Sequence, residues 1–146
     1  MPPTVRAIDV AEYILSRIGS MSAMKLQKLV YYSQAWALVW TENPLFNEEI
    51  QAWANGPVVW ELYCLHRGRF RVEPGLFQGD PQRLSADQKD VIDRVLSYYG
   101  DKDPQWLSNL THLEIPWQKA RVSVENGQPC SEIISKESML EYYSSL

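Results

Sequence analysis

Apolar residues recur at helical spacing along the first third of the chain. Val10, Ile14 and Ile18 lie one turn apart, with Ala7, Ala11 and Leu15 beside them, which predicts a first helix over Ile8 to Ile18. Gly19 follows as its stop. Ser22 is placed to cap a second helix reaching Trp40. Leu26, Leu29, Val30, Ser33, Ala37 and Trp40 form one stripe of that helix, while Tyr31, Ala35, Leu38 and Val39 make its other side apolar too. A helix apolar on several sides belongs at the centre of a fold, with Trp36 and Trp40 in the core. Asn43-Pro44 ends it. Beyond, Ile50, Ala52 and Ala54 alternate with Gln51 and Trp53, the period of a short strand, with Leu45-Phe46 as its hairpin partner. Gly56-Pro57 then closes the hairpin and opens a third helix over Val58 to His66.

The second half is helical in pattern. Arg67 to Pro81, with Pro74, Gly75 and Gly79, predicts a loop region. Ser85 and Gln88 form a capping box for a fourth helix with Val91, Ile92, Val95, Leu96 and Tyr99 on its stripe and Gly100 at its end. Asp103-Pro104 starts a fifth helix, interrupted near Pro116. Ser135 caps a final short helix bearing Met139, Leu140 and Tyr143. The fold class is mainly α with a small β-hairpin, a single domain over residues 1–146 of about six helices.

Composition narrows the function. A chain that is 45% hydrophobic and 22% charged can build a core. Its net charge of −4 weighs against nucleic acid as a partner and disfavours anionic membranes. Leu29 to Trp40 is too short an apolar run to span a bilayer, and Arg6, Asp9 and Glu12 interrupt any secretory segment at the start. Cys64 and Cys130 suit a reducing compartment as free thiols, so the expected location is the cytoplasm. With His66 and His112 they are the only soft ligands, and their spacing fits no zinc motif; no metal and no cofactor is expected. Walker, dinucleotide-glycine and nucleophile-elbow patterns are missing from the sequence.

Thr111-His112 is the most enzyme-like dipeptide, with Glu114 nearby, yet no nucleophile or orienting group accompanies it. A structural histidine beside Pro116-Trp117 is the preferred reading, and the chain is not expected to be an enzyme. Gly56-Pro57 has a backbone role, since no Lys-Ser/Thr pair follows to make a phosphate cradle. Six tryptophans and eight tyrosines instead suggest a surface that holds something.

Four motifs stand in order: Lys25-Leu26-Gln27-Lys28-Leu29 with Tyr31-Tyr32; Ala52-Trp53 before Gly56-Pro57-Val58; Glu61-Leu62-Tyr63; and Thr111-His112 with Pro116-Trp117. Over about Ala7 to Arg121 the chain resembles the SocA-like antitoxin family, the Panacea domain, which includes phage-associated GepA-like proteins. The resemblance implies a helical cytoplasmic antitoxin that binds and blocks a cognate protein toxin, and in one branch an adaptor that hands the toxin to a AAA+ protease. Trp60 departs from the pattern, since proline is common after Gly-Pro-Val-Val there; it adds an indole beside the turn. The expected partner surface comprises Lys25, Lys28, Tyr32, Trp53, Trp60 and the basic run Arg67, Arg69, Arg71. For the two lysines a solvated face is the preferred alternative, and for the arginines a helix C-terminus.

Overall fold

The computed structural model describes residues 4–125 and 127–146. Among them are seven α-helices: α1 (Ala7–Ile18), α2 (Ala23–Thr41), α3 (Trp60–His66), α4 (Ala86–Tyr99), α5 (Pro104–His112), α6 (Ile115–Ala120) and α7 (Lys136–Ser144). Four short strands accompany them: β1 (Met21–Ser22), β2 (Ile50–Trp53), β3 (Gly56–Val59) and β4 (Arg71–Val72). The fold is mainly α, as the periodicity predicts. The extra helix arises because α5 stops at His112 and the chain restarts at Ile115 with Pro116 in the first turn of α6.

The caps form where the side chains direct them. The Ser22 hydroxyl accepts from Lys25 N, Ser85 and Gln88 satisfy each other's backbone, and Asp103 and Ser135 accept from Trp106 N and Ser138 N. Gly19, at φ 98°, closes α1.

α2 is the central element, packed by α1, α4, α5, α7 and β3. Leu26, Leu29, Val30, Tyr31, Tyr32 and Ala35 are all at most 1% exposed, which explains why both of its faces are apolar. Trp40 departs from the expected core: it is 45% exposed and stacks on the half-buried Trp36. It lies in the last turn of α2, beside an open groove that Arg94, Val95 and Tyr98 of α4 also line.

Two polar residues of α1 also face inward. Asp9 accepts from Asp80 N and Arg6 N, and Glu12 accepts from Gly75 N and Phe77 N. Backbone donors of the loop before α4 thus find carboxylate acceptors, and the loop is tied down over α1. That loop also holds β4, which pairs antiparallel with β1.

The hairpin differs from expectation. β2 pairs with β3, in register Ile50↔Val59 to Trp53↔Gly56, around an Ala54-Asn55 turn. Pro57 is therefore a strand residue, and α3 begins two residues later than predicted. Leu45-Phe46 is not the partner strand. Both residues are buried, and the Gln34 side chain accepts from Leu45 N (2.7 Å) while donating to Phe46 O (2.8 Å). A glutamine amide there takes the place of a neighbouring strand.

Candidate functional site

All four sequence motifs converge on the β2–β3 hairpin. The first reaches it from α2. Gln27 accepts from Val59 N (2.8 Å) and donates to Val59 O (3.2 Å), closing the outer edge of β3 as a strand would. Its Nε2 also lies 3.0 Å from His66 Nε2. Gln27 and Gln34 are seven residues apart on one side of α2, and each grips one extended segment.

Lys28 is 2% exposed, so it is neither a docking point nor a solvated residue; this corrects the expectation from spacing. Its ammonium lies 3.5 Å from Pro57 O, and burial pulls its pKa down from 10.5 to about 7. The cause is geometric. α2 is covered on this side by β3, and Gly56 lets the lysine stem lie directly against the hairpin backbone. Tyr32 is likewise corrected from surface to core. At 0% exposure it stacks on Tyr99 at 4.1 Å and donates to Glu114 Oε1 at 2.6 Å. Tyr143 donates to the same oxygen at 2.7 Å, and burial holds the Glu114 carboxyl above its ordinary pKa despite these two donors. The Tyr31 hydroxyl extends the network to Tyr143 at 3.0 Å.

Lys28 has a pH consequence. Between about 7 and 10.5 the unfolded chain keeps a proton that the folded chain has released, so folding stability rises with pH through that window. The urea midpoint is expected to climb from about pH 7 to about pH 9.5, and the climb should vanish in Lys28→Met. A wild-type midpoint that stays level, or a climb that persists in the variant, would show that Lys28 is not the group responsible.

The fourth motif grips the hairpin from the other side. Trp117 Nε1 donates to Trp53 O (2.8 Å), Arg121 Nη1 donates to Ala52 O (2.8 Å), and the Ser108 hydroxyl donates to Asn55 O. His112 stacks on Trp117 at 4.1 Å, and the Arg121 guanidinium lies 5.2 Å from the centre of the Trp117 ring. Thr111 is buried, and its hydroxyl donates to Ser108 O. Burial, with the nearby Lys28 and Arg121 charges, pushes the His112 pKa down, and its buried Nε2 has no partner among the described residues. Glu114 is engaged by Tyr32 and Tyr143, so the His112–Glu114 pairing raised by the sequence is not formed. Pro116 is buried at the start of α6 and sets its entry.

Held this way, the hairpin and α3 present an aromatic face. Trp53 and Tyr63 are half-buried and Trp60 is 44% exposed. Their ring centres are 6.3 Å (Trp53–Trp60), 4.7 Å (Trp53–Tyr63) and 5.6 Å (Trp60–Tyr63) apart. Beside them opens a groove of about 550 Å³ lined by Trp53, Val58, Trp60, Pro129 and Cys130, among others, with no charged side chain in its lining. At the far end of α3, Arg67, Arg69 and Arg71 are exposed around Phe70, which is 79% exposed. Arg69 pairs with Glu73 at 3.6 Å, and Arg71 donates to Ser20 O. Lys25 is half-buried in the first turn of α2.

Of the expected partner surface, then, Trp53 and Trp60 share one face, the three arginines are exposed beyond the C-terminal end of α3, and Lys28 and Tyr32 lie beneath the surface. Sequence reasoning missed Gln27, Gln34, Ser108 and Arg121. The one available signal was a pair of glutamines seven apart in a helix apolar on several sides.

Among the described residues no group of three or more His, Cys, Asp and Glu side chains gathers to hold a metal, and no helix is long and apolar enough to cross a membrane. The fold and site define a helical domain organised around a clamped hairpin that displays aromatic side chains. A family model described as antitoxin SocA-like, Panacea domain, matches residues 26–118, and the chain belongs to that family. The matched span runs from Leu26 to Gln118 and so contains the Gln27–Lys28 grip, the hairpin and the His112–Trp117 stack. Comparison with curated proteins and with solved structures gave no match. Family membership supports an antitoxin role and, in general terms, a toxin as partner.

Proposed function

We propose that this chain is an antitoxin that neutralises a cognate protein toxin by direct contact, with Trp53, Trp60 and Tyr63 as the anchoring face. The reading is carried by the 44% exposure of Trp60 next to a groove whose lining holds no charged side chain among the described residues, on a hairpin held by the buried Gln27, Ser108 and Arg121. Exposed tryptophan at the centre of a rigid patch is the usual source of binding energy at protein interfaces. Neutralisation then requires only that the bound domain cover the toxin's active surface. The whole of residues 1–146 acts as one domain, in the cytoplasm, and catalysis plays no part.

Trp60→Pro is the discriminating variant. Val59 already has φ −82° and ψ 114°, the extended conformation a residue before proline adopts, and proline suits the first position of α3. The fold should therefore persist. Co-expressed with the toxin encoded beside it, the wild-type chain should restore growth and co-purify with the toxin. Trp60→Pro should weaken the complex by about tenfold or more, the effect of losing one interface hot spot. Toxin abundance should be the same in both strains, since blocking does not require degradation. A toxin that is harmless alone, or a chain that protects without binding it, would end this reading.

A further inference from the structure

The aromatic face and Arg67, the first of the arginine run, lie along one side of α3 and form a strip. Trp60, Cys64 and Arg67 are spaced four and three residues apart, which places them on the same side of α3, and Arg67 N still bonds to Tyr63 O in helical fashion. The two ends differ in chemistry. The groove at Trp53 and Trp60 is uncharged in its lining. At the other end, Arg67 has no ion-pair partner among the described residues, Arg71 meets only a backbone carbonyl, and Phe70 stands exposed between them. The nearby carboxylates do not cancel this charge: Glu73 is occupied with Arg69, and the half-buried Glu61 lies a full turn or more from Arg67. In a chain of net charge −4, this end offers cations without carboxylate partners to an acidic segment, so the strip also sets orientation. The same net charge works against an extended polyanion such as RNA, which would run on over acidic surface.

We infer that the strip accepts an acidic segment of a protein partner, with a bulky uncharged side chain seated at Trp53–Trp60 and carboxylates at Arg67 and Arg71. The inference rests on the proposed binding role of this face and specifies the chemistry of its occupant. Trp60 and Arg67 are seven helical residues apart, or about 10 Å along the axis. An extended peptide covers that distance in about three residues. The anchor and the first carboxylate should therefore be separated by about three positions in an extended segment.

Short fluorescent peptides test this by anisotropy with the full chain. The set comprises an acidic peptide with a tryptophan about three positions before two glutamates, the same peptide with alanine for the tryptophan, one with lysines for the glutamates, and a single-stranded oligouridine. The first should bind best, and its binding should fall as salt is raised from about 50 to about 300 mM. Trp60→Pro should weaken it by about tenfold or more. The double variant Arg67→Glu, Arg71→Glu should weaken it by a similar factor and flatten the salt dependence. Equal binding of the lysine peptide, tighter binding of the oligouridine, no binding by any probe, or a salt response unchanged in the double variant would overturn the inference. Protection from the toxin that survives such a result would leave the antitoxin role standing and remove only the acidic-segment assignment. Loss of protection with intact peptide binding would do the reverse.

Discussion

Gly56→Ala is expected to destabilise the fold by about 3–5 kcal/mol, the sum of backbone strain and overpacking at one position. Gly56 has φ 120°, a conformation that side-chain-bearing residues rarely adopt. It is also buried, and a Cβ built there would collide with Lys28 Cε and come within 3.0 Å of Thr111 Oγ1. Neither neighbour has room to retreat. Lys28 is enclosed between α2 and β3, and the Thr111 hydroxyl is fixed to Ser108 O at 2.7 Å. Such a loss is a large share of the stability a domain of this size holds. Urea unfolding should show it as a fall in midpoint at unchanged slope. Shortening Lys28 to alanine in the same chain should recover the steric part and leave the strain, giving a non-additive double-mutant cycle. A Gly56→Ala chain within about 1 kcal/mol of wild type would mean that the hairpin does not close against Lys28 as described.

Trp117→Ala should cost a comparable amount, about 3–5 kcal/mol, in the range for removing a large buried aromatic ring. Trp117 is 8% exposed and sits at the junction of three contacts: the His112 ring, the Arg121 guanidinium and the Trp53 carbonyl. Its loss leaves a cavity under the hairpin and takes one hydrogen bond from the Trp53 carbonyl at the base of the turn. Trp117→Phe keeps a ring for stacking and loses the N–H, so it should fall between the two. Because Trp117 holds the backbone of Trp53, partner binding should weaken in Trp117→Phe even under conditions where the variant is fully folded. Thermal unfolding and toxin co-purification, measured on the same preparations, check both halves. If Trp117→Phe binds as wild type does, the grip on Trp53 O does not set the position of the face.

Neither effect was visible in the linear pattern, and the reason lies in what each residue touches. Gly56-Pro57 read as a break between strand and helix, because Gly-Pro is a turn signal taken alone. Paired with Ala52 and Trp53, the same dipeptide is the first half of a strand. Lys28 looked like a surface cation because lysine is one most of the time. It is buried because a glycine 28 residues away leaves space for its stem. Thr111-His112 and Pro116-Trp117 could be located but not explained, since Trp117 bonds the backbone carbonyl of Trp53, Thr111 bonds that of Ser108, and the His112 and Trp117 rings stack on each other. Trp40 read as core from its place on the α2 stripe, whereas in the fold it borders an open groove between α2 and α4 and stays 45% exposed.

What the sequence determined by itself was local: the helices and their caps, the centrality of α2, the presence of one short hairpin, and the family to which these motifs point. The helices, their caps and the place of α2 follow from side-chain periodicity and from donors and acceptors within four residues, which a linear pattern contains, while the family rests on the resemblance of the four motifs. The tertiary structure decided the pairing of β2 with β3, the burial of Lys28 and Tyr32, and the joining of Trp53, Trp60 and Tyr63 into one face with Arg67 at its end. Those outcomes depend on which surfaces meet across tens of residues. A buried amine or an exposed indole is defined by its neighbours in space, and the order of residues along the chain does not name them.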